Sequence, residues 1–319
     1  MANVDFYIKQ ERSEVLETVF VTGATGFIGQ RLVLRLKRVD ESFKFKRKRR
    51  NVRILSRHLH SHYETVVCDL QSELVPDDAL DGVDTVFHLA GFAHDMRDAS
   101  ETEHLYRAVN VDATVRLAEL AVVSRVKSFI FVSSIKAGGS DENDNETQPE
   151  GVYGQTKREA ELKILEIGRQ SKMRVIIVRP SLVYGPGVKG NLALMRCGIK
   201  KGWFPPLPET GNRRSLIHVD DLVEALLLVV EDERSSGEIF IATDGEVHSS
   251  REIYEVLCQT VGKPVPCWSV PKIVFNWAGY LSPRIRYKVD KLMGDEYYSS
   301  EKLEKLGFRA EKSLIDIDT

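Results

Sequence analysis

Tyr153 and Lys157 stand four residues apart in Tyr-Gly-Gln-Thr-Lys, near the start of a helical pattern, which puts both side chains on one helix face. A lysine ammonium beside a phenol favours the phenolate, so a tyrosine whose ordinary pKa is about 10 could exchange a proton closer to neutrality. Upstream, Ser133-Ser134 closes an apolar run, and the Ser134 hydroxyl could hold a substrate oxygen next to that tyrosine. A Tyr-x-x-x-Lys pair is common and usually lies on a surface. What raises this one is its company: Gly23, Gly26 and Gly29 in Thr18-Val-Phe-Val-Thr-Gly-Ala-Thr-Gly-Phe-Ile-Gly-Gln30. Glycines where a strand hands over to a helix let backbone N–H groups and the helix N-terminus approach a pyrophosphate.

Such side chains need elements to position them. Val19 to Val21 suits a buried parallel strand, and Ile28, Leu32, Val33 and Leu36 recur at helical spacing straight after it. Further strands are predicted over 52–55, 63–69, 84–91, 127–132 and 173–178, with helices over 105–121 and 153–170 between them. This alternation specifies an α/β fold, a Rossmann-type doubly wound parallel sheet covered on both faces, with ligands at the carboxyl ends of its strands. The glycine turn, His88 to Gly91, Ser133-Ser134 and Arg179-Pro180 all fall at those ends. Ser181 to Arg214, with Gly-Pro-Gly and Trp203-Phe-Pro-Pro-Leu-Pro208, reads as a mobile substrate-facing excursion. Order then resumes with an apolar run over 215–219, Asp220 as cap of a helix over 222–230, and a strand over 238–243. Ser249-Ser250 would cap a helix reaching Val261, and a last short helix over 299–307 stops at glycine. The expected division is a polar N-terminal extension over 1–17, a dinucleotide-binding domain over 18–180 and 215–244, and a smaller C-terminal substrate-binding lobe from 181–214 and 245–319.

The 319 residues, 42% hydrophobic, suffice for a large core. A net charge of -2, from 45 basic and 47 acidic side chains, argues against a polynucleotide partner, whose footprint is a basic excess. The charged N-terminus lacks the apolar core of a signal peptide and Ala225 to Val230 is too short to span a bilayer, so the expected location is cytoplasmic. Cys68, Cys197, Cys258 and Cys267 show no paired spacing and read as reduced, packed thiols. His58, His60 and His62 alternate with no carboxylate or cysteine at ligand spacing, and no metal site is expected. The basic run through residues 44–50 reads as a solvated insertion.

Taken together, Thr22-Gly23-x-x-Gly26-x-x-Gly29, Asp69-Leu70, His88-Leu-Ala-Gly91, Asn110-Val-Asp, Phe131-Val-Ser-Ser134, Tyr153-x-x-x-Lys157 and Arg179-Pro-x-x-Val-Tyr-Gly-Pro186 resemble, in order, the extended short-chain dehydrogenases/reductases of the nucleotide-sugar epimerase and dehydratase group. The resemblance covers nearly the whole chain. It implies Tyr153 as general acid/base, Lys157 on the nicotinamide ribose, and Ser134 on the sugar C4 oxygen. The implied cofactor site comprises Gly23, Thr25, Gly26, Phe27, Ile28, Gly29, Arg57, Asp69 and Leu70. Leu89, Ala90, Gly91, Asn110, Ser133, Pro180 and Val183 complete it, beside Tyr153 and Lys157. Lys136, Asn191 and Arg214 would meet a nucleotide-sugar substrate, the last two at its diphosphate. The group also implies a homodimer through helices near 105–125 and 155–170.

Three departures bear on the reaction. The second strand ends Leu55-Ser56-Arg57 with no carboxylate for a ribose, so Arg57 tilts the cofactor from NAD(H) towards NADP(H) and the reaction towards reduction of a 4-keto-sugar. A 4-epimerase retaining NAD is the alternative, and a non-catalytic dinucleotide sensor or scaffold is a third reading. Gly138 replaces a larger residue and would open the substrate pocket. Ser215 stands after Arg214 where many epimerases carry an aspartate.

Overall fold

The computed structural model describes residues 17–37, 50–93, 99–140 and 146–318. A seven-stranded parallel sheet forms its centre, with β1 (Glu17–Thr22) among its inner strands. On one side of β1 lie β2 (Arg50–Ser56) and then β3 (Glu64–Val67); on the other lie β4 (Thr85–His88) and β5 (Ser128–Val132). Beyond a short antiparallel pair, β6 (Gly139–Ser140) with β7 (Glu146–Thr147), the chain adds β8 (Arg174–Pro180) beside β5. Outside the main sheet, β9 (Leu182–Tyr184) pairs with β10 (Leu216–His218); β11 (Ile239–Ala242) then closes the main sheet next to β8.

Alternation along β1 explains the layering. Val19 and Val21 point to one face, where they pack with α1 (Phe27–Lys37) and α6 (Val219–Glu231); Phe20 points to the other. That second face is covered by α3 (Ala113–Val123) and α4 (Gly151–Gln170). A third apolar cluster gathers Tyr184, α5 (Asn191–Lys201), Leu216, α7 (Ser250–Thr260), α8 (Lys272–Tyr280) and the end of α9 (Pro283–Met293). The short α10 (Glu301–Lys305) returns to the main core through Leu303.

The elements depart from the expectations in several places. The helix expected from 105 begins earlier as α2 (Ala99–Arg107) and passes through a π-helical turn, Ala108–Asp112, before α3. Such a turn has no periodic signature, because it inserts only one residue into an otherwise helical pattern. The excursion over 181–214 contains β9 and α5, the latter anchored by Leu192, Met195 and Ile199. Two further helices, α8 and α9, fill a stretch for which no element was expected. His218, not Asp220, caps α6, since its Nδ1 accepts the Asp220 N–H at 3.2 Å. Ser249 does cap α7, in a reciprocal box with Glu252. Cys68 and Cys258 are buried, but Cys197 and Cys267 are exposed. Most of the basic run and the whole of residues 1–16 lie outside the described residues; Arg50 lies within β2 and pairs with Glu17 and Glu231. Among the described residues there is no cluster of metal-ligating side chains, and no helix is long and apolar enough to cross a membrane.

Candidate active site

The carboxyl ends of β1, β4 and β5 meet the first turns of α1 and α4. At β1 the chain turns through Gly23, whose φ of +69° belongs to the left-handed region. A Cβ on Gly29 would sit 2.1 Å from the Gly23 carbonyl oxygen, and a Cβ on Gly23 would sit 2.7 Å from the Ala90 nitrogen. These two glycines therefore set the close approach of turn, α1 and the β4 loop. The first N–H groups of α1, from Phe27 onward, are left without helical acceptors and present positive charge to whatever lies there. Ile28 packs inward, while Thr25 is exposed at the turn.

Thr22 locks the turn to β4. Its Oγ1 accepts from the Ala90 N–H at 3.1 Å and lies 2.7 Å from His88 Nδ1; His88 Nε2 lies 2.8 Å from Thr114 Oγ1. Each threonine hydroxyl can donate or accept, so both ring nitrogens of the imidazole are satisfied in its neutral form. Burial keeps that ring neutral by holding the His88 pKa down at about 3, Lys157 adding to the effect. Leu89 and Ala90 thus follow a fixed strand end. Asn110, placed by the π turn, receives the Phe92 N–H at 2.8 Å and donates to Thr156 Oγ1 at 3.2 Å, bridging the β4 loop to α4.

On α4, Tyr153 and Lys157 share a face as the spacing requires. The Ser134 hydroxyl lies close enough to the Tyr153 phenol to favour its ionised form, and it accepts the Lys136 N–H at 3.2 Å. This meeting depends on Gly154, where a Cβ would lie 2.1 Å from the Lys136 carbonyl oxygen. Lys157 is buried; its Nζ donates to the Val132 carbonyl at 3.0 Å and lies 4.3 Å from the Phe131 ring centroid. A Cβ at Gly91 would approach that Nζ to 3.3 Å, so glycine keeps the ammonium accessible from the β4 side. Burial holds Lys157 down at about 8 against the opposing Glu161 carboxylate, and burial pushes Tyr153 up to about 12 despite the nearby Ser134 hydroxyl, which lowers it. The expected lowering of the phenol pKa by Lys157 is not found: the ammonium is directed at a carbonyl and the ring is desolvated.

These groups fit a dinucleotide. The glycine cradle and the α1 N-terminus suit a pyrophosphate, and the buried Ser133 Oγ has no partner among the described residues, leaving a hydroxyl to offer. Asp69 follows β3, where its carboxylate accepts the Gln71 N–H at 3.1 Å, with Leu70 half-buried beside it. Pro180 ends β8 and Val183 lies in β9. Arg57 is exposed just after β2 with no hydrogen bond or ion pair among the described residues.

The substrate-side residues have a less simple setting. Lys136 pairs with Glu150 at 3.3 Å, and Asn191 is exposed as the first residue of α5. Arg214 is not a loop cation: it is buried, bonded to Glu296 at 2.7 Å and to the Lys291 carbonyl. Lys291 in turn joins Glu150 and Glu296, so a chain of alternating charge runs from Lys136 to Arg214. Gly138 does not open the pocket. It has φ +61° and a Cβ there would meet the Thr147 carbonyl oxygen at 2.5 Å, so the space is filled by backbone. Ser215 Oγ exchanges hydrogen bonds with the Tyr298 backbone, at 3.1 and 2.9 Å. Sequence reasoning missed Thr22, Thr114 and Thr156 as positioning groups, and Glu150, Glu161 and Glu296 as anionic partners. Only Glu161 left a signal, one turn after Lys157 on the same helix face.

The sequence profile of the NAD dependent epimerase/dehydratase family matches residues 19–242. A UDP-glucose 4-epimerase of Vibrio cholerae is 32% identical over 316 residues, covering 93% of this chain and 92% of that protein. An N-acetyl-alpha-D-glucosaminyl-diphospho-ditrans,octacis-undecaprenol 4-epimerase of Escherichia coli O157:H7 is 26% identical, covering 83% and 78%. Among solved structures, MoeE5 in complex with UDP-glucuronic acid and NAD superposes with a TM-score of 0.72 at 26% identity, covering 94% of this chain and 96% of that one. The chain belongs to the NAD dependent epimerase/dehydratase family and is an enzyme of the extended short-chain dehydrogenase/reductase type.

Proposed function

We propose that the chain is a nucleotide-sugar 4-epimerase. The observation that carries the chemistry is the Ser134 hydroxyl beside the Tyr153 phenol, with buried Lys157 one turn along the same helix. The likeness over 93% of the chain to a UDP-glucose 4-epimerase supports the sugar position. A bound nicotinamide would supply reversible hydride acceptance at sugar C4. Ser134 holds the C4 oxygen, and Tyr153 Oη takes the C4 hydroxyl proton and returns it. Lys157 Nζ, facing the Gly91 side, meets the cofactor ribose, and its positive charge then offsets the desolvation that holds the phenol neutral. Gly23, Gly26, Gly29 and the α1 N-terminus hold the pyrophosphate, with Asp69 near the adenine. Arg214 takes the substrate diphosphate by exchanging its Glu296 partner for phosphate oxygens, a geometry that suits a planar guanidinium.

Arg57 favours a second reading. An exposed arginine after β2, with no carboxylate there, suits a 2′-phosphate and hence NADPH-dependent reduction of a 4-keto-sugar. Purified protein is incubated with UDP-glucose and UDP-N-acetylglucosamine, and the C4 configuration of the product is read by NMR. Galacto-configured product without added cofactor supports the epimerase. No epimer, with NADPH consumed only when a 4-keto-sugar is supplied, supports the reductase instead.

A further inference from the structure

The helix α8 turns an apolar stripe outward. Ile273, Trp277, Tyr280 and Leu281, at i, i+4, i+7 and i+8, are 62%, 71%, 79% and 80% exposed, and Val274 beside them is also exposed. The opposite side of the same helix is already used: Phe275 joins the third core cluster, and Gly279 lets the Arg286 backbone come within 3.5 Å of where a Cβ would stand. Exposed Trp268 extends the apolar surface at the N-terminal approach. Single exposed apolar residues need no explanation, but a helical stripe with a tryptophan and a tyrosine, preceded in the chain by a second exposed tryptophan, marks an interaction surface.

The charge around the stripe indicates its partner. From Lys263 to Gly294 the chain carries six basic side chains against the single acidic Asp290, in a protein whose net charge is -2; of the six, Lys291 is paired with Glu150 and Glu296, and Arg286 lies 3.8 Å from Asp290. Lys272 opens α8, and Arg286 and Lys288 are exposed on α9. Aromatic and aliphatic anchors bordered by cations match the boundary of an anionic bilayer, where rings sit at the headgroup level and lysines meet phosphates. A two-fold contact with a second copy would instead set these cations against their own copies. We propose that the α8–α9 hairpin docks the protein on an anionic lipid surface as a peripheral contact. The docking would also orient the active site, because Tyr287 and Lys291 of α9 bond Glu150, the residue directly before α4 and three before Tyr153.

The test is co-sedimentation of the full chain with vesicles of phosphatidylcholine alone or mixed with phosphatidylglycerol, at low and high salt. The wild type is expected on the mixed vesicles, less so at high salt. Trp277→Ser with Leu281→Ser should lower the vesicle partition coefficient at least about tenfold, and Lys272→Glu with Lys288→Glu should abolish the preference for phosphatidylglycerol. Absence of binding to mixed vesicles overturns the proposal, as does wild-type binding by the serine variant. Self-association in sedimentation equilibrium that the serine variant abolishes would assign the stripe to a second copy and overturn it too. Turnover of soluble UDP-sugar by the serine variant should match wild type; vesicle binding with no sugar turnover in either protein would sink the functional reading and leave the docking surface standing.

Discussion

Replacing Glu161 by Gln keeps the shape of the side chain and removes its charge. Glu161 is fully buried and its partner Arg179 is 4% exposed; the guanidinium Nε and NH2 meet the two carboxylate oxygens at 2.8 and 2.5 Å. Leaving Arg179 buried without its counter-charge should cost about 3–5 kcal/mol. That is a large share of the roughly 5–15 kcal/mol that holds a typical protein folded, and corresponds to a fall in melting temperature on the order of 10 °C. Glu161 also supports the charge on Lys157, so its loss should move the lysine pKa further below about 8. Urea denaturation of wild type, Glu161→Leu, Arg179→Met and the pair Glu161→Leu/Arg179→Met forms a cycle, with Glu161→Gln measured beside it. The double variant should recover most of the stability, since a packed apolar pair avoids the desolvation of both ions. A Glu161→Gln variant within about 0.5 kcal/mol of wild type, the range of ordinary surface changes, would refute this account of the pair.

Gly29→Ala should abolish dinucleotide binding or folding together, because its methyl carbon would lie 2.1 Å from the Gly23 carbonyl oxygen; isothermal titration with NAD alongside circular dichroism checks both. His88 contributes an acid sensitivity. Its folded pKa of about 3 lies below the ordinary 6.5, so between those values the unfolded chain binds the extra proton and stability falls as pH falls. From pH 7 to pH 5 this amounts to about 2 kcal/mol, to be read from urea midpoints as a steeper acid loss in wild type than in His88→Gln; parallel curves would contradict it. Arg57→Glu should weaken NADPH binding at least about tenfold while sparing NADH, if the 2′-phosphate reading is correct; unchanged selectivity would remove that reading.

The sheet was legible because parallel strands buried on both faces, such as 128–132, read as unbroken apolar runs and the helices between them keep their period. The glycine turn and the Tyr153 and Lys157 pair were legible because their spacing is itself the geometry. Distances across the fold left no trace. Nothing near Arg214 in the chain announces Glu296, 82 residues later, and nothing near Gly138 announces that residues 147–149 fill the space above it. The π turn that delivers Asn110 was hidden for the opposite reason: it lies inside a helical pattern that it barely disturbs. The sequence also overstated what Lys157 does for Tyr153, because one-face placement says nothing of which way an amine turns or how much water the ring loses.

The most direct measurement is turnover of UDP-glucose or UDP-N-acetylglucosamine by wild type and Tyr153→Phe, with NAD binding measured on both. If Tyr153 moves the C4 proton, wild type yields the C4 epimer, the phenylalanine variant loses that activity by about 10²–10⁴-fold, and both bind NAD alike. An active Tyr153→Phe variant would contradict the central assignment.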